Sequence, residues 1–218
     1  NTLYKMPDEI SFEEAAIITT AGSAFYAIDA MGGYIAGDTV AVIGPGPIGL
    51  ALAQAAKALG ADKVILTGTR QGRLEMGKKM GADVTVNLRA GEDPVAVVKE
   101  LTNGVGADVV FDAAGVADSL DQALNLVRPG GAVVMVAFYK GPITVNMNKA
   151  VVRNVNLYTV RGEGRRNVRR ALSMAAQRKI DLRPLITHEF PLREINKAFD
   201  TFTQRIDNAM KVIVHPQQ

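Results

Sequence analysis

Thr39–Leu50 reads TVAVIGPGPIGL: a short apolar, β-branched run, then Gly44, Gly46 and Gly49, then the start of a helical pattern. A continuous run of this kind reads as a strand buried on both faces. Between a strand and a helix, the spacing G-x-G-x-x-G gives each glycine a task. Gly44 permits a tight turn, Gly46 lets a pyrophosphate approach the backbone, and Gly49 lets helix and strand pack closely. Together with Pro47 and Ile48 they form a candidate phosphate loop, because a helix N-terminus offers unpaired N–H groups and a positive dipole end. No Lys-Ser/Thr pair follows, so this is not a Walker loop. A purely structural glycine turn is the competing reading, and the strand–loop–helix setting favours the nucleotide.

Working outward, apolar runs alternate with helical patterns. The runs are Thr39–Ile43, Lys63–Thr67, Val84–Val86, Val109–Phe111, Ala132–Ala137 and Val155–Val160. Helical patterns lie near Ile48–Leu59, Arg73–Met80, Pro94–Leu101 and Ser119–Val127. Such alternation predicts an α/β fold, a doubly wound parallel sheet of the Rossmann type with right-handed crossovers. Gly60 and Gly81, each followed by Ala-Asp, sit where helices should end. Ahead of the first strand, Ser11 with Glu14 three residues on marks a capping box, and a small-residue helix follows from about Gly22 to Ala30. Beyond about Gly162 the alternation stops. A helix over Asn167–Gln177, an extended PLITHEFPL, a short helix near Arg193–Thr203 and a last strand Ala209–His215 are expected. The chain thus divides into a lead-in (1–33), a dinucleotide-binding domain (34–182) and a return segment (183–218).

At 218 residues and 48% hydrophobic, the chain can bury a full core. A net charge of +3 gives no reason to expect a nucleic-acid partner, and aromatic interleaving is missing from the basic run RGEGRRNVRR (161–170). That run reads first as a solvated helix face, with a phosphate contact from Arg161 or a subunit contact as alternatives. No run is long and apolar enough to span a bilayer and no charged-then-apolar leader opens the chain, so a cytoplasmic protein without a membrane partner is expected. The sequence has no cysteine and two histidines, which excludes disulfides and thiol nucleophiles and leaves no convincing metal set. His188 reads as a packing or surface residue, with a place facing a substrate as the alternative, His215 as structural or solvent-exposed, and Asp112 as a buried cap of the turn after its strand.

The second strand decides the ribose. NAD-preferring sites place a carboxylate about 20 residues past the first glycine. Here the strand DKVILTGTR begins with Asp62 and ends in Gly68-Thr69-Arg70, with Arg73 one helical turn further. A guanidinium suits a 2′-phosphate through charge-assisted, bidentate bonds. NADP is therefore favoured and NAD remains possible, Arg70 then only capping a helix or stacking on adenine.

The ordered series DEISFEEAA, AGDTVAVIGPGPIGLALAQAAKALGA, RLEMGKKMGADVTVN, GVGADVVFDAAG, LVRPGGAVVMVAFY and ITHEFPL resembles the medium-chain dehydrogenase/reductase superfamily, in its zinc-type alcohol, polyol and threonine dehydrogenase branch. The resemblance covers the family's cofactor-binding half and its C-terminal return. The GroES-like catalytic domain would precede Asn1 and is absent from this sequence. It implies an oxidoreductase moving hydride between an alcohol or carbonyl substrate and NAD(P), this chain alone being expected to be inactive. It further implies that the Ala113–Gly115 turn lies by the cofactor and that backbone at Val136, Ala137 and Phe138 meets the nicotinamide amide. Near AAIITTAG many members carry a zinc-site residue where Thr19 stands, a poor ligand, which puts zinc in doubt even for an intact parent. Relatives pair across the last strand, so a homodimer or homotetramer through Val155–Val160 is expected. The alternative is a nucleotide-binding module without catalysis of its own.

Overall fold

The computed structural model describes residues 3–217. The chain opens with two abutting helices, α1 (Phe12–Ala16) and α2 (Ile18–Ala30). The capping box at the first is formed: the Ser11 side chain accepts from the Glu14 N–H, and the Glu14 carboxylate accepts from the Ser11 N–H. There follow β1 (Thr39–Ile43), α3 (Pro47–Ala58), β2 (Lys63–Gly68), α4 (Gln71–Lys79), β3 (Val84–Asn87), α5 (Pro94–Leu101), β4 (Ala107–Asp112), α6 (Ser119–Leu126), β5 (Val127–Met135), α7 (Asn148–Val152), β6 (Asn156–Thr159) and α8 (Arg165–Ala176). The chain closes with β7 (Ile186–Pro191), α9 (Ile195–Gln204) and β8 (Lys211–His215).

The first six strands form one sheet in the order β3-β2-β1-β4-β5-β6, and every pairing is parallel. This is the doubly wound order, whose direction of winding reverses between β1 and β4. Alternation along the strands sorts side chains into two cores. Val40, Val42, Val64, Leu66, Val109 and Phe111 face one cluster with residues of α2, α3 and α8. Ala41, Ile43, Ile65 and Val110 face the other, with Val98 of α5 and Leu120 and Leu124 of α6. Phe25 and Ile28 of α2 belong to the first cluster and are fully buried. Each such side chain contributes about 2–3 kcal/mol of hydrophobic stabilisation. Gly60 and Gly81 follow α3 and α4 in the left-handed region, at φ 92° and 107°, which ends the helices as expected.

The fifth strand departs from its expected limits, Ala132–Ala137. It begins at Val127 because Val127 pairs with Ala107 before a register shift at Ala107/Val109 lets the intervening residues loop out. It ends at Met135 because the N–H groups of Val136 and Ala137 both turn to the Asp112 carbonyl, at 2.9 and 3.1 Å. The last strand of this sheet is shorter than Val155–Val160, running Asn156–Thr159. Helix α7 carries no periodic signal in its five residues and was not expected from the sequence. The return segment forms a separate pair, β7 and β8, also parallel. α9 packs on that pair and leaves Phe199 and Phe202 largely exposed.

Candidate functional site

The carboxyl ends of β1, β2, β4 and β5 converge at the reversal in the sheet, where open α/β folds keep their ligand crevice. The glycine loop lies at the end of β1. Gly44 adopts φ 98°, and its N–H donates to the Thr67 carbonyl at 2.9 Å, so the loop starts bound to β2. A Cβ on Gly44 would stand 3.0 Å from Ala114, and one on Gly49 only 2.0 Å from the Gly44 carbonyl oxygen. These two glycines therefore set the close approach of β1, α3 and the turn after β4.

Gly46 differs. It is the N-cap of α3 at φ −83° and ψ 177°, a conformation any residue adopts, and a Cβ there would meet nothing within 4 Å. Pro47 occupies the first turn, where its missing N–H is not needed. No side chain caps α3 and no acidic residue stands in its first turn, so the N–H groups of Ile48 and Gly49 keep their positive end open. A backbone cradle with vacant space beside Gly46 fits a pyrophosphate.

Gly68 ends β2, where a Cβ would press to 2.5 Å from the Pro45 ring. Thr69 leads to Arg70, the N-cap of α4, whose side chain makes no capping bond. The capping alternative for Arg70 is thus not the one the side chain takes up. Arg73, in the first turn of α4, donates through Nη2 to the Ala209 carbonyl at 3.3 Å, while its Nε is shielded without a partner. Burial, and then the charges of Arg70 and Arg205, lower the pKa of the Arg73 guanidinium. No carboxylate occupies the end of this strand.

Asp112 closes the other side. Its side chain is fully buried at the end of β4. Oδ1 accepts from the N–H groups of Ala114 at 3.0 Å and Gly115 at 3.2 Å. Oδ2 accepts from the Ser119 hydroxyl at 2.7 Å and from the Tyr139 hydroxyl. Burial first, and the carboxylate second, hold the Tyr139 phenol above its ordinary pKa, so it stays a donor. The turn Ala113–Gly115 and the segment Val136–Phe138 are therefore held by one residue, through its side chain and its carbonyl. They also touch: a Cβ on Gly115 would lie 2.5 Å from the Phe138 carbonyl oxygen and 2.9 Å from the Ala137 side chain. Phe138 itself is 78% exposed. The sequence marked Asp112 as a turn cap; Tyr139 left no signal because its partner is distant in the chain, and Ser119 because a hydroxyl seven residues on matches no local turn motif.

The remaining candidates lie elsewhere. His188 stacks on Phe190 in β7, with ring centroids 6.4 Å apart, and His215 Nε2 lies 2.7 Å from Glu189. Within the basic run, Arg161, Arg165, Arg166 and Arg169 stand exposed, as a solvated helix face requires, but Arg166 and Arg170 also make ion pairs. These two bind Asp29 of α2, at 2.7 and 2.9 Å, and so join α8 to the lead-in helix. Thr19 lines a groove of about 670 Å³ between α2, Tyr4 and the Arg161–Arg165 loop. Among the described residues no group of three or more His, Cys, Asp or Glu side chains is placed to hold a metal, so the residues here do not fit a zinc site.

Comparison with known proteins agrees with this geometry. Residues 47–177 match the zinc-binding dehydrogenase family. L-threonine 3-dehydrogenase of Bacillus subtilis (strain 168) is 34% identical over 99% of this chain and 61% of its own length. Alcohol dehydrogenase TADH from Thermus sp. ATN1 superposes with a TM-score of 0.88 at 30% identity, over 97% of this chain and 61% of that one. A zinc-binding dehydrogenase from Sinorhizobium meliloti 1021, solved bound to NADP, gives a TM-score of 0.85 at 26% identity, over 98% and 62%. The chain thus spans about 61% of the length of the curated relative it matches over nearly its whole extent. The open N-terminus of α3, the winding of the sheet and the matched residues lead to one assignment: the chain belongs to the zinc-binding dehydrogenase family.

Proposed function

We propose that this chain is the dinucleotide-binding part of an alcohol- or polyol-type oxidoreductase, and that it takes NADP in preference to NAD. The observation that carries the reading is the pairing of two features at one crevice. The uncapped N-terminus of α3 has free space beside Gly46, and the end of β2 presents Arg70 and Arg73 where NAD sites carry a carboxylate. In this reading Gly44, Gly46, Pro47, Ile48 and Gly49 hold the pyrophosphate through backbone N–H groups. Gly68, Thr69, Arg70 and Arg73 receive the adenosine ribose. Ala113 and Gly115, with Val136, Ala137 and Phe138, flank the nicotinamide, their backbone fixed by Asp112. The bound nicotinamide supplies or accepts the hydride, and the protein supplies position and electrostatics. The NADP in the Sinorhizobium meliloti structure supports the choice of dinucleotide.

The substrate of the intact dehydrogenase would be a small alcohol or carbonyl compound. The division at residues 33/34 and 182/183 is part of the same proposal, and Leu192, Phe199 and Phe202 of the return segment, each about half exposed or more, suit a face turned towards a catalytic domain. So is assembly through β6, which is paired on one side only and lies near the exposed Val151 and Val152. No helix among the described residues is long and apolar enough to cross a membrane.

A second reading, binding without turnover by this chain, is favoured by the groups at the crevice. They are backbone N–H groups, guanidiniums and a carboxylate already fully engaged. Calorimetric titration with NADP and NAD, alongside an alcohol-oxidation assay, separates the readings. Tighter binding of NADP with no turnover supports a binding part; turnover by this chain alone would overturn that restriction. Failure to bind either dinucleotide would overturn both.

A further inference from the structure

Arg205 plays no part in the expected site, yet the return segment brings it there. It follows α9 in the left-handed region at φ 57°, and Asp207 and Asn208 are left-handed too, at φ 47° and 62°. Non-glycine residues rarely enter that region, and three of them here give the loop a sharply turned course. That course ends at Ala209, whose carbonyl accepts from Arg73. The loop and α4 enclose a cavity of about 390 Å³ lined by Pro47, Arg73, Thr203, Arg205, Ala209 and Met210, among others.

The charges there are one-sided. Arg73 of α4 and Arg205 of the α9–β8 loop line the cavity, and Arg70, the N-cap of α4, lies outside the lining but close enough for its charge to act on Arg73, as that of Arg205 does. Among the described residues none of the three joins an ion pair with a carboxylate. Arg73 Nε is shielded from solvent and donates to nothing. The nine-residue α4 adds an N-terminus without a side-chain cap or an acid in its first turn. Gathered guanidiniums repel one another, and an anion among them reverses the sign of that interaction. Pro47 belongs both to this cavity and to the glycine loop, so the anion and the pyrophosphate are within reach of one molecule.

We propose that Arg205 completes, with Arg70 and Arg73, a site for a phosphomonoester on the adenosine ribose, making the return loop a determinant of dinucleotide choice. This rests on the NADP reading above and adds to it a residue remote from the glycine loop and from the end of β2. A dianionic phosphate takes charge-assisted bonds from guanidinium forks that a ribose hydroxyl cannot take with equal strength. Filling the site also ties the α9–β8 loop to α4, so the ligand orders the return segment against the nucleotide fold.

The test is calorimetric titration of the chain, Arg205→Ala and Arg70→Ala with 2′,5′-ADP, 5′-AMP, NAD and inorganic phosphate. Arg205→Ala is expected to raise the Kd of 2′,5′-ADP by about tenfold or more while 5′-AMP and NAD change by less than about twofold. Unchanged NAD binding shows that the variant is folded. Hydrogen exchange at residues 205–209 should slow on adding 2′,5′-ADP and not on adding 5′-AMP. If Arg70→Ala weakens 2′,5′-ADP and Arg205→Ala does not, the role of Arg205 is overturned and the NADP reading stands. Equal weakening of NAD and 2′,5′-ADP by Arg205→Ala also overturns it, as a structural effect. Inorganic phosphate binding as tightly as 2′,5′-ADP would mean a free-phosphate site instead. If the unaltered chain binds 5′-AMP as tightly as 2′,5′-ADP, the NADP reading itself falls.

Discussion

The Asp112 carboxylate accepts a hydrogen bond from the Tyr139 hydroxyl and thereby ties the turn after β4 to the segment after β5. The same carboxylate takes the N–H groups of Ala114 and Gly115 and the Ser119 hydroxyl. Asp112→Ala leaves these donors facing a buried void. A loss of at least about 3 kcal/mol in urea unfolding is expected, against about 1 kcal/mol for Tyr139→Phe. Similar losses for the two variants would mean that Asp112 is not the shared anchor.

Gly46 and Gly49 separate binding from folding. Gly49→Ala drives a methyl group to 2.0 Å from the Gly44 carbonyl oxygen, so its melting temperature should fall by several degrees. Gly46→Ala meets nothing within 4 Å and keeps an allowed backbone, so its melting temperature should stay within about 1 °C. Its methyl group fills the space assigned to pyrophosphate, and NADP affinity should drop about tenfold or more. Unaltered NADP binding in Gly46→Ala would move the pyrophosphate away from this loop.

Asp29 gives the fold a pH dependence. The guanidinium of Arg166, opposed by burial and assisted by Arg170, lowers its pKa from 3.8 to about 2. The unfolded chain therefore binds this proton more readily than the folded one. Stability from the pair is complete above about pH 4 and declines as pH falls towards 2. Asp29→Asn should lose about 1–2 kcal/mol near neutrality and show a flatter stability profile between pH 4 and 2. Parallel profiles for the two proteins in acid unfolding would dismiss the pair as the cause.

The Glu14 carboxylate takes two hydrogen bonds and has Arg183 Nε 3.8 Å away, where the Ser11 hydroxyl takes one bond. Glu14 Oε2 accepts from the Ser11 N–H at 3.0 Å, and Glu14 Oε1 accepts from Arg178 Nη1 at 2.8 Å. Glu14 is 4% exposed, so Arg178 would lose its shielded partner in Glu14→Ala. Thermal unfolding should show a loss of about 2 kcal/mol for Glu14→Ala and about 1 kcal/mol for Ser11→Ala. The reverse order would place the cap, and not the ion pair, in command of this junction.

Much of this was legible because the signals are local. β1 matches its apolar run residue for residue, and the glycine loop, the capping box and the helix-ending glycines depend on neighbours a few positions away. The limits of β5 were not legible, because they depend on a register shift against Ala107 and on the Asp112 carbonyl. The pairing of Arg166 and Arg170 with Asp29 was hidden for the same reason: spacing in a basic run says nothing of what packs opposite.

The sequence by itself determined the alternation of strands and helices, the position of the glycine loop between β1 and α3 and the lack of a carboxylate at the end of β2. Each follows from periodicity or from the identity of a residue at a known offset. Only the tertiary structure decided that Asp112 anchors two segments at once, that Gly46 alone of the loop glycines faces open space, and that Arg205 lines one cavity with Arg73. Those relations come from strand order and from the path of the return loop, which bring together residues that no local pattern connects.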